Sequence, residues 1–319
     1  NVQGEGFIGV GGLGFLMEGP IGNRSTYIAS YRMSYLDLIA DAINASGGMP
    51  TYGDFQAKIE FRPDIYNTFS LLMVNGGSEY DRDSEGAIEV GETEYGKLKN
   101  NQNTIGVNYK HIWSNRAYTN TSISNSTKQS DAHFLNINSR ETVFNIVENT
   151  NVKNIRQVNH LKLGPASKME FGFDAEINDT DYNYYRKLPE SSVFVNEIQF
   201  DRLITTKNYS AFITLKKNLF SRMIFSAGLR LDQNDYEKVN LLSPRMNLDY
   251  ELVRGKTNLI INSGLYHQNP PAIYIANNAS KKLKSVNARQ HSISLEHMLT
   301  PSTKLSLSAY QKEYSDSPI

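Results

Sequence analysis

The chain has no cysteine, one tryptophan, no unbroken run of 18 apolar residues and no excess of either charge. Each absence excludes something. Without Cys there is no disulfide framework, no thiolate metal site and no Cys nucleophile. Without a long apolar run there is no transmembrane helix. Lys and Arg number 33, as do Asp and Glu, so there is no basic field for nucleic acid and none is expected as a partner. The first residues, Asn1-Val2-Gln3-Gly4-Glu5, contain no starting Met and no charged and apolar leader.

What is present is alternation. In residues 221–232, Met223, Phe225, Ala227, Leu229 and Leu231 fall at one parity, and Arg222, Ser226, Gly228, Arg230 and Asp232 at the other; only Ile224 breaks the pattern. Side chains of a strand point alternately to opposite faces, so this spells one apolar and one polar surface. Phe171, Phe173, Ala175 and Ile177 oppose Glu170, Gly172, Asp174, Glu176 and Asn178 in the same way. Phe55, Ala57, Ile59 and Phe61 oppose Asp54, Gln56, Lys58 and Glu60. Met246, Leu248, Tyr250 and Leu252 oppose Asn247, Asp249 and Glu251. Successive charges on one face fit a wet lumen better than the dry core of a sandwich. The 19 tyrosines, with an apolar ring and a polar tip, suit strand faces and membrane-interface belts.

Seven short segments have turn chemistry: 18–24, 62–67, 114–115, 164–168, 217–220, 253–256 and 300–303. They combine Gly, Pro, Asn, Asp and Ser, which supply positive φ, a preset φ or side-chain bonds to their own backbone. Seven hairpins give about fourteen strands. Between them lie longer polar segments, 36–52, 76–101, 127–152, 179–206, 233–242 and 267–287. Short turns alternating with long loops is the asymmetry of outer-membrane barrels, whose short turns are periplasmic. The reading is all-β: an antiparallel transmembrane barrel. Segment 76–101, with Glu79, Asp81, Asp83, Glu85, Glu89 and Glu92, is expected as an acidic outer loop.

Other motifs carry little. Gly9-Val10-Gly11-Gly12-Leu13-Gly14 matches the dinucleotide fingerprint G-x-G-x-x-G. The chemistry requires a helix immediately afterwards, and Phe15-Leu16-Met17-Glu18 runs instead into Gly19-Pro20; glycines in a strand facing a filled lumen explain it better. His111, His133, His160, His267, His291 and His297 show no metal-ligand spacing. Residues 179–185 place oxygen ligands at alternate positions but lack the glycine and distal Glu of a calcium loop. No catalytic arrangement, metal site or cofactor site is expected.

The segments Ser221-Arg222-Met223-Ile224-Phe225-Ser226-Ala227-Gly228-Leu229-Arg230-Leu231-Asp232 and Leu242-Ser243-Pro244-Arg245-Met246-Asn247-Leu248 resemble TonB-dependent outer-membrane receptors. In those a strand ending in G-h-R-h-D (h apolar) is followed by a loop, S-P-R and the next strand. The likeness continues through Gly264-Leu265-Tyr266-His267-Gln268-Asn269-Pro270-Pro271, Leu295-Glu296-His297 and residues 300–307. Upstream, residues 14–22 and 32–37 look like an early hairpin of the branch that carries an N-terminal carboxypeptidase-regulatory-like domain.

The resemblance implies a 22-stranded barrel closed by a plug, with a segment that engages TonB and energised uptake through TonB–ExbB–ExbD. Residues 1–319 are then expected to be one partial barrel domain of about fourteen strands, in contact with outer-membrane lipid. Signal peptide, plug and last strands are expected outside it. The expected function is active uptake of a scarce small or oligomeric solute: a chelated metal, cofactor, glycan or peptide. An outer-membrane adhesin or structural barrel is the competing reading, a passive porin a third, and an enzyme is not expected. Ligand contacts are expected in the outer loops, at Asp179, Asp181, Tyr182, Tyr184, Tyr185, His267, Gln268 and Tyr274, where aromatic and polar groups concentrate above predicted strand ends.

Overall fold

A computed structural model of the chain describes residues 1–9, 11–36, 48–188, 197–277 and 283–316. Fifteen antiparallel strands follow one another in sequence order through a single sheet. They are β1 (Gln3–Gly9), β2 (Gly12–Ile21), β3 (Ser25–Met33), β4 (Thr51–Phe61), β5 (Asn67–Arg82), β6 (Glu94–Ser114), β7 (Ala117–Asn136) and β8 (Thr142–Gly164). Then come β9 (Ser167–Lys187), β10 (Glu197–Leu219), β11 (Met223–Asn234), β12 (Asn240–Val253), β13 (Thr257–Gln268), β14 (Val286–Thr300) and β15 (Thr303–Ser315). Two short helices, α1 (Ser84–Glu89) and α2 (Ala272–Asn277), sit in connections. Residues 1–109, 122–154 and 177–205 form one compact unit, and residues 110–121, 155–176 and 206–319 a second.

Burial is inverted relative to a water-soluble sheet. In the first unit Phe55, Ile59 and Phe61 are exposed; in the second Phe225, Leu229, Leu231, Met246 and Leu252 are exposed. Leu229 shows 49% of its surface, about what a strand residue exposes when nothing covers its face. The largest fully buried side chains are small and polar instead: Thr180, Ser243 and Ser285. An apolar face this extensive far exceeds the few hundred Å² a water-soluble surface tolerates. Lipid is the environment it fits, and between β1 and β15 every strand pairs its backbone with a neighbour on both sides.

Register keeps the two faces separate. Across β11 and β12, Phe225 opposes Leu248, Ala227 opposes Met246 and Leu231 opposes Leu242. The intervening pairs are Ser226 with Asn247, Gly228 with Arg245 and Arg230 with Ser243. A slip of one residue would exchange the whole apolar set for the polar one. On the polar face, charges are paired rather than merely hydrated. In the first unit Arg32 meets Asp54 at 3.0 Å and Lys128 meets Glu148 at 3.3 Å. In the second, Lys304 meets Glu296 at 3.1 Å. Such half-exposed pairs contribute at most about 1 kcal/mol each.

All seven short connections lie at or beside the segments with turn chemistry, but residues 18–21 and 217–219 are strand, so those two turns stand at 22–24 and 220–222. The long segments do not all hold as loops. Segment 76–101 contains the end of β5, helix α1 capped by Asp83, and the start of β6. Glu79 and Asp81 are strand residues facing Lys99 at 3.9 Å and Lys97 at 2.5 Å. Between β7 and β8 only residues 137–141 remain as a turn, tied by Asn136 Oδ1, which accepts from the Asn138 and Ser139 N–H groups at 2.9 and 3.0 Å. The physical reason is that alternation marks a strand only where its two faces meet different solvents. Above the membrane both are wet. Parts of segments 36–52, 179–206 and 267–287 lie outside the described residues.

The glycine-rich N-terminal segment is not one strand but a hairpin, which makes the strand count fifteen. Gly9 pairs with Gly12, and β2 follows directly. Gly12 has φ +157°, and a Cβ there would lie 2.4 Å from the Met33 carbonyl oxygen. The glycines serve a tight turn, not a face of a filled lumen. No helix N-terminus follows to hold a pyrophosphate.

Sidedness predicts opposite responses at neighbouring positions. Leu229→Arg is expected to cost about 2–4 kcal/mol, whereas Ser226→Arg on the polar face is expected to change stability little. Equilibrium urea titration in phospholipid bilayers measures both; equal losses would contradict the assignment of faces.

Candidate functional site: an aromatic ladder on the polar face

In β9 the apolar face runs Phe171, Phe173, Ala175, Ile177 and then continues as Asp179 and Asp181. Carboxylates are costly against lipid, so the strand leaves the membrane at that point and residues 179–187 rise beyond it. On the opposite face this segment presents Tyr182 and Tyr184. Strands lie about 4.8 Å apart, so equivalent positions on neighbours meet ring to ring. Tyr184 stacks on Phe200 of β10, with centroids 4.9 Å apart and planes inclined by 9°. It meets Phe144 of β8 edge-on at 5.8 Å, and Phe144 lies 6.3 Å from Phe134 of β7. Tyr182 approaches Phe200 edge-on at 6.2 Å. Each such pair contributes about 0.5–1.5 kcal/mol beyond its burial. The Arg186 guanidinium caps the row, 5.2 Å from the Phe144 ring centre and 3.9 Å from Glu94.

Beneath the ladder Tyr182 is 5% exposed and Thr180 2%. Thr180 is held by Thr150 at 3.2 Å and Asn178 at 3.1 Å. Burial, aided by the negative charge of Glu148, pushes the Tyr182 phenol up to about 12. Phe134, Phe144, Tyr184 and Phe200 are each half-buried, so part of each ring remains accessible. Asp179 accepts a hydrogen bond from Thr205 at 2.7 Å, Asp181 is exposed and Tyr185 half-buried. These five expected ligand residues stand on a strand, not in the outer loop assigned to them.

His267, Gln268 and Tyr274 belong to the second unit. His267 and Gln268 end β13, and Tyr274 stands on α2 with 49% of its surface exposed. His267 Nε2 lies 3.1 Å from the Leu242 carbonyl, while its buried Nδ1 has no partner. Nearby, Asn208 Oδ1 accepts from Asn234 at 2.7 Å and from Asn269 at 2.8 Å. Ser285 bonds Glu237 Oε2 through its N–H at 3.0 Å and through its hydroxyl at 2.5 Å. This network fastens the connection after α2 to the one after β11. Among the described residues no three His, Asp or Glu side chains are grouped to hold a metal ion.

Sequence reasoning missed Phe134, Phe144, Phe200 and Arg186, because they fall in segments read as loops. A signal existed: aromatics at one parity, as in Tyr182 and Tyr184, followed by Arg186.

The buried phenol makes stability pH-dependent. An unfolded Tyr ionises near 10, while folded Tyr182 resists until about 12. Its contribution is therefore complete below pH 10 and is lost as pH rises from 10 to 12. Tyr182→Phe is expected to abolish that part of the alkaline loss; identical urea midpoints for both proteins across this window would contradict it.

No curated protein matches the chain. Solved structures do. A ferric enterobactin receptor mutant from Pseudomonas aeruginosa superposes with a TM-score of 0.68 at 11% identity, covering 98% of this chain and 52% of that one. The siderophore receptor PirA from Acinetobacter baumannii gives 0.68 at 11% identity, covering 99% and 52%. The copper transporter OprC gives 0.67 at 15%, covering 97% and 52%. The chain thus spans about half the length of these structures. At this identity they show the fold, and the family model described as TonB dependent receptor-like, beta-barrel matches residues 26–318. Fold, inverted burial and this match agree: the chain belongs to the TonB-dependent receptor β-barrel family of the outer membrane.

Proposed function

We propose that this chain is the barrel wall of a receptor that takes up a scarce solute by TonB-driven transport, and that the aromatic ladder is part of its capture surface. The solute class that fits is a metal chelate with planar aromatic donor groups. The observation carrying this reading is the row of half-buried rings Phe134, Phe144, Tyr184 and Phe200, capped by Arg186, on the polar face beyond the lipid-facing stretch. Open ring faces stack planar groups, and a guanidinium attracts the negative charge of a ferric chelate. Solved relatives named as ferric enterobactin and siderophore receptors support the same class. Asp179, Asp181 and Tyr185, on the opposite face of β9 from the ladder rings, are proposed as further solute contacts, and His267, Gln268 and Tyr274 as a separate contact set of the second unit. TonB–ExbB–ExbD would couple through an N-terminal region outside residues 1–319.

Uptake of a radiolabelled ferric catecholate by a deletion strain carrying the receptor tests this. Phe144→Ala, Tyr184→Ala and Phe200→Ala are each expected to weaken binding about three- to tenfold, the loss of one ring contact. A protonophore is expected to stop accumulation while surface binding persists. Unchanged binding in the triple variant would refute the ladder's role. Binding with no energised accumulation would favour an adhesin.

A further inference from the structure

The S-P-R segment has a role that the ladder does not supply. On the polar face of the second unit is a cavity of about 450 Å³ whose lining includes Arg156, Arg230, Arg245, Glu170 and Ser243. Both other arginines have acidic partners, and Glu170 lies against a histidine ring. Arg156 faces Asp174 at 3.8 Å, Arg230 Nε donates to Asp232 at 2.8 Å, and Glu170 lies 3.3 Å from His160. Arg245 has no acidic partner among the described residues; its guanidinium carbon lies 4.4 Å from the centre of the Tyr266 ring.

The surroundings hold that guanidinium open. Arg245 pairs with Gly228 of β11 on one side and Gly264 of β13 on the other, so no side chain stands directly opposite it in either neighbouring strand. A Cβ on Gly264 would come within 3.0 Å of the Tyr266 ring, and one on Gly228 within 2.9 Å of Thr214 Oγ1. The missing side chain at 264 is what lets Tyr266 fold beside Arg245. A ring beneath a guanidinium supports its plane and leaves the N–H edge free for two parallel hydrogen bonds. Two residues earlier, and so on the same face, Ser243 is 1% exposed and its Oγ has no partner. A buried hydroxyl left unmade costs about 1–3 kcal/mol. Gln290, opposite Gly264 on β14, adds an amide to the lining.

We propose that Arg245, Ser243 and Gln290 form an oxyanion site that takes a carboxylate or phosphate group, with Tyr266 and the two glycines as its frame. The group can arrive on a diffusible anion or as an acidic side chain of a polypeptide laid over this face. The site is independent of the aromatic ladder and of the identity of its solute.

Arginine modification by phenylglyoxal, read residue by residue by peptide mass spectrometry on the full chain in detergent micelles, tests the site with citrate as probe. A diffusible source predicts that citrate slows modification of Arg245 about tenfold, the scale of one charge-assisted contact, and leaves Arg222 and Arg254 at the turns unaffected. In that case Arg245→Gln abolishes saturable citrate binding, and Gly264→Ala weakens it with the charge still in place. A polypeptide source predicts an Arg245 already shielded after dialysis, insensitive to citrate and released when carboxylates are methyl-esterified. The site is refuted if Arg245 reacts as fast as Arg222 with and without citrate. It is equally refuted if citrate protects all three arginines alike, or if shielding yields to neither treatment.

Discussion

Everything in this structure depends on one constraint: a sheet whose two faces meet different solvents must keep every backbone hydrogen bond and never change register. In hydrocarbon an unpaired N–H or C=O costs several kcal/mol, so antiparallel neighbours pair along the sheet. A one-residue slip would turn Leu229 inward and Arg230 into lipid. Apolar side chains then serve as an outer coat, and stability cannot come from a dry core. The buried residues bear this out, since the largest side chains that are fully buried are Thr180, Ser243 and Ser285.

Function begins where that constraint is released. Once a strand rises beyond lipid, as β9 does at Asp179, neither face needs to be apolar. Either is then available for recognition. The ladder of Phe134, Phe144, Tyr184 and Phe200 uses the polar face there, borrowing the strand spacing to align rings. In the second unit the polar face carries charges paired within the sheet, and Arg245 stands out because it has no acidic partner among the described residues while its ring support is in place. Glycines shape that face: removing a side chain at 228 and 264 gives Tyr266 and Arg245 their geometry.

The legibility of the sequence follows the same division. Residues 221–232 and 169–178 could be read almost side chain by side chain, because lipid on one face imposes a period of two. The turns were legible through Gly, Pro and Asn, except that the one read at 217–220, which has no Gly or Pro, stands at 220–222. Residues 76–101 and 127–152 were not, since a strand wet on both faces looks like a polar loop. The first hairpin was hidden because its glycine turn interrupts an otherwise plausible strand. Of the site, Tyr182 and Tyr184 were visible as a local cluster. Their partners Phe144 and Phe200 stand 40 and 16 residues from Tyr184 in sequence, and that adjacency exists only once strand extents are known.

The most direct test of the two-solvent sheet is a nitroxide scan of residues 222–232 in lipid bilayers, and a chain without cysteine accepts single labels with no background. Accessibility to oxygen, which partitions into lipid, is expected to peak at 223, 225, 227, 229 and 231. Accessibility to a water-soluble nickel chelate is expected to peak at 222, 226, 228, 230 and 232. Two profiles alternating out of phase with period two are the predicted result. A scan in which both collision partners reach both parities equally would contradict the account.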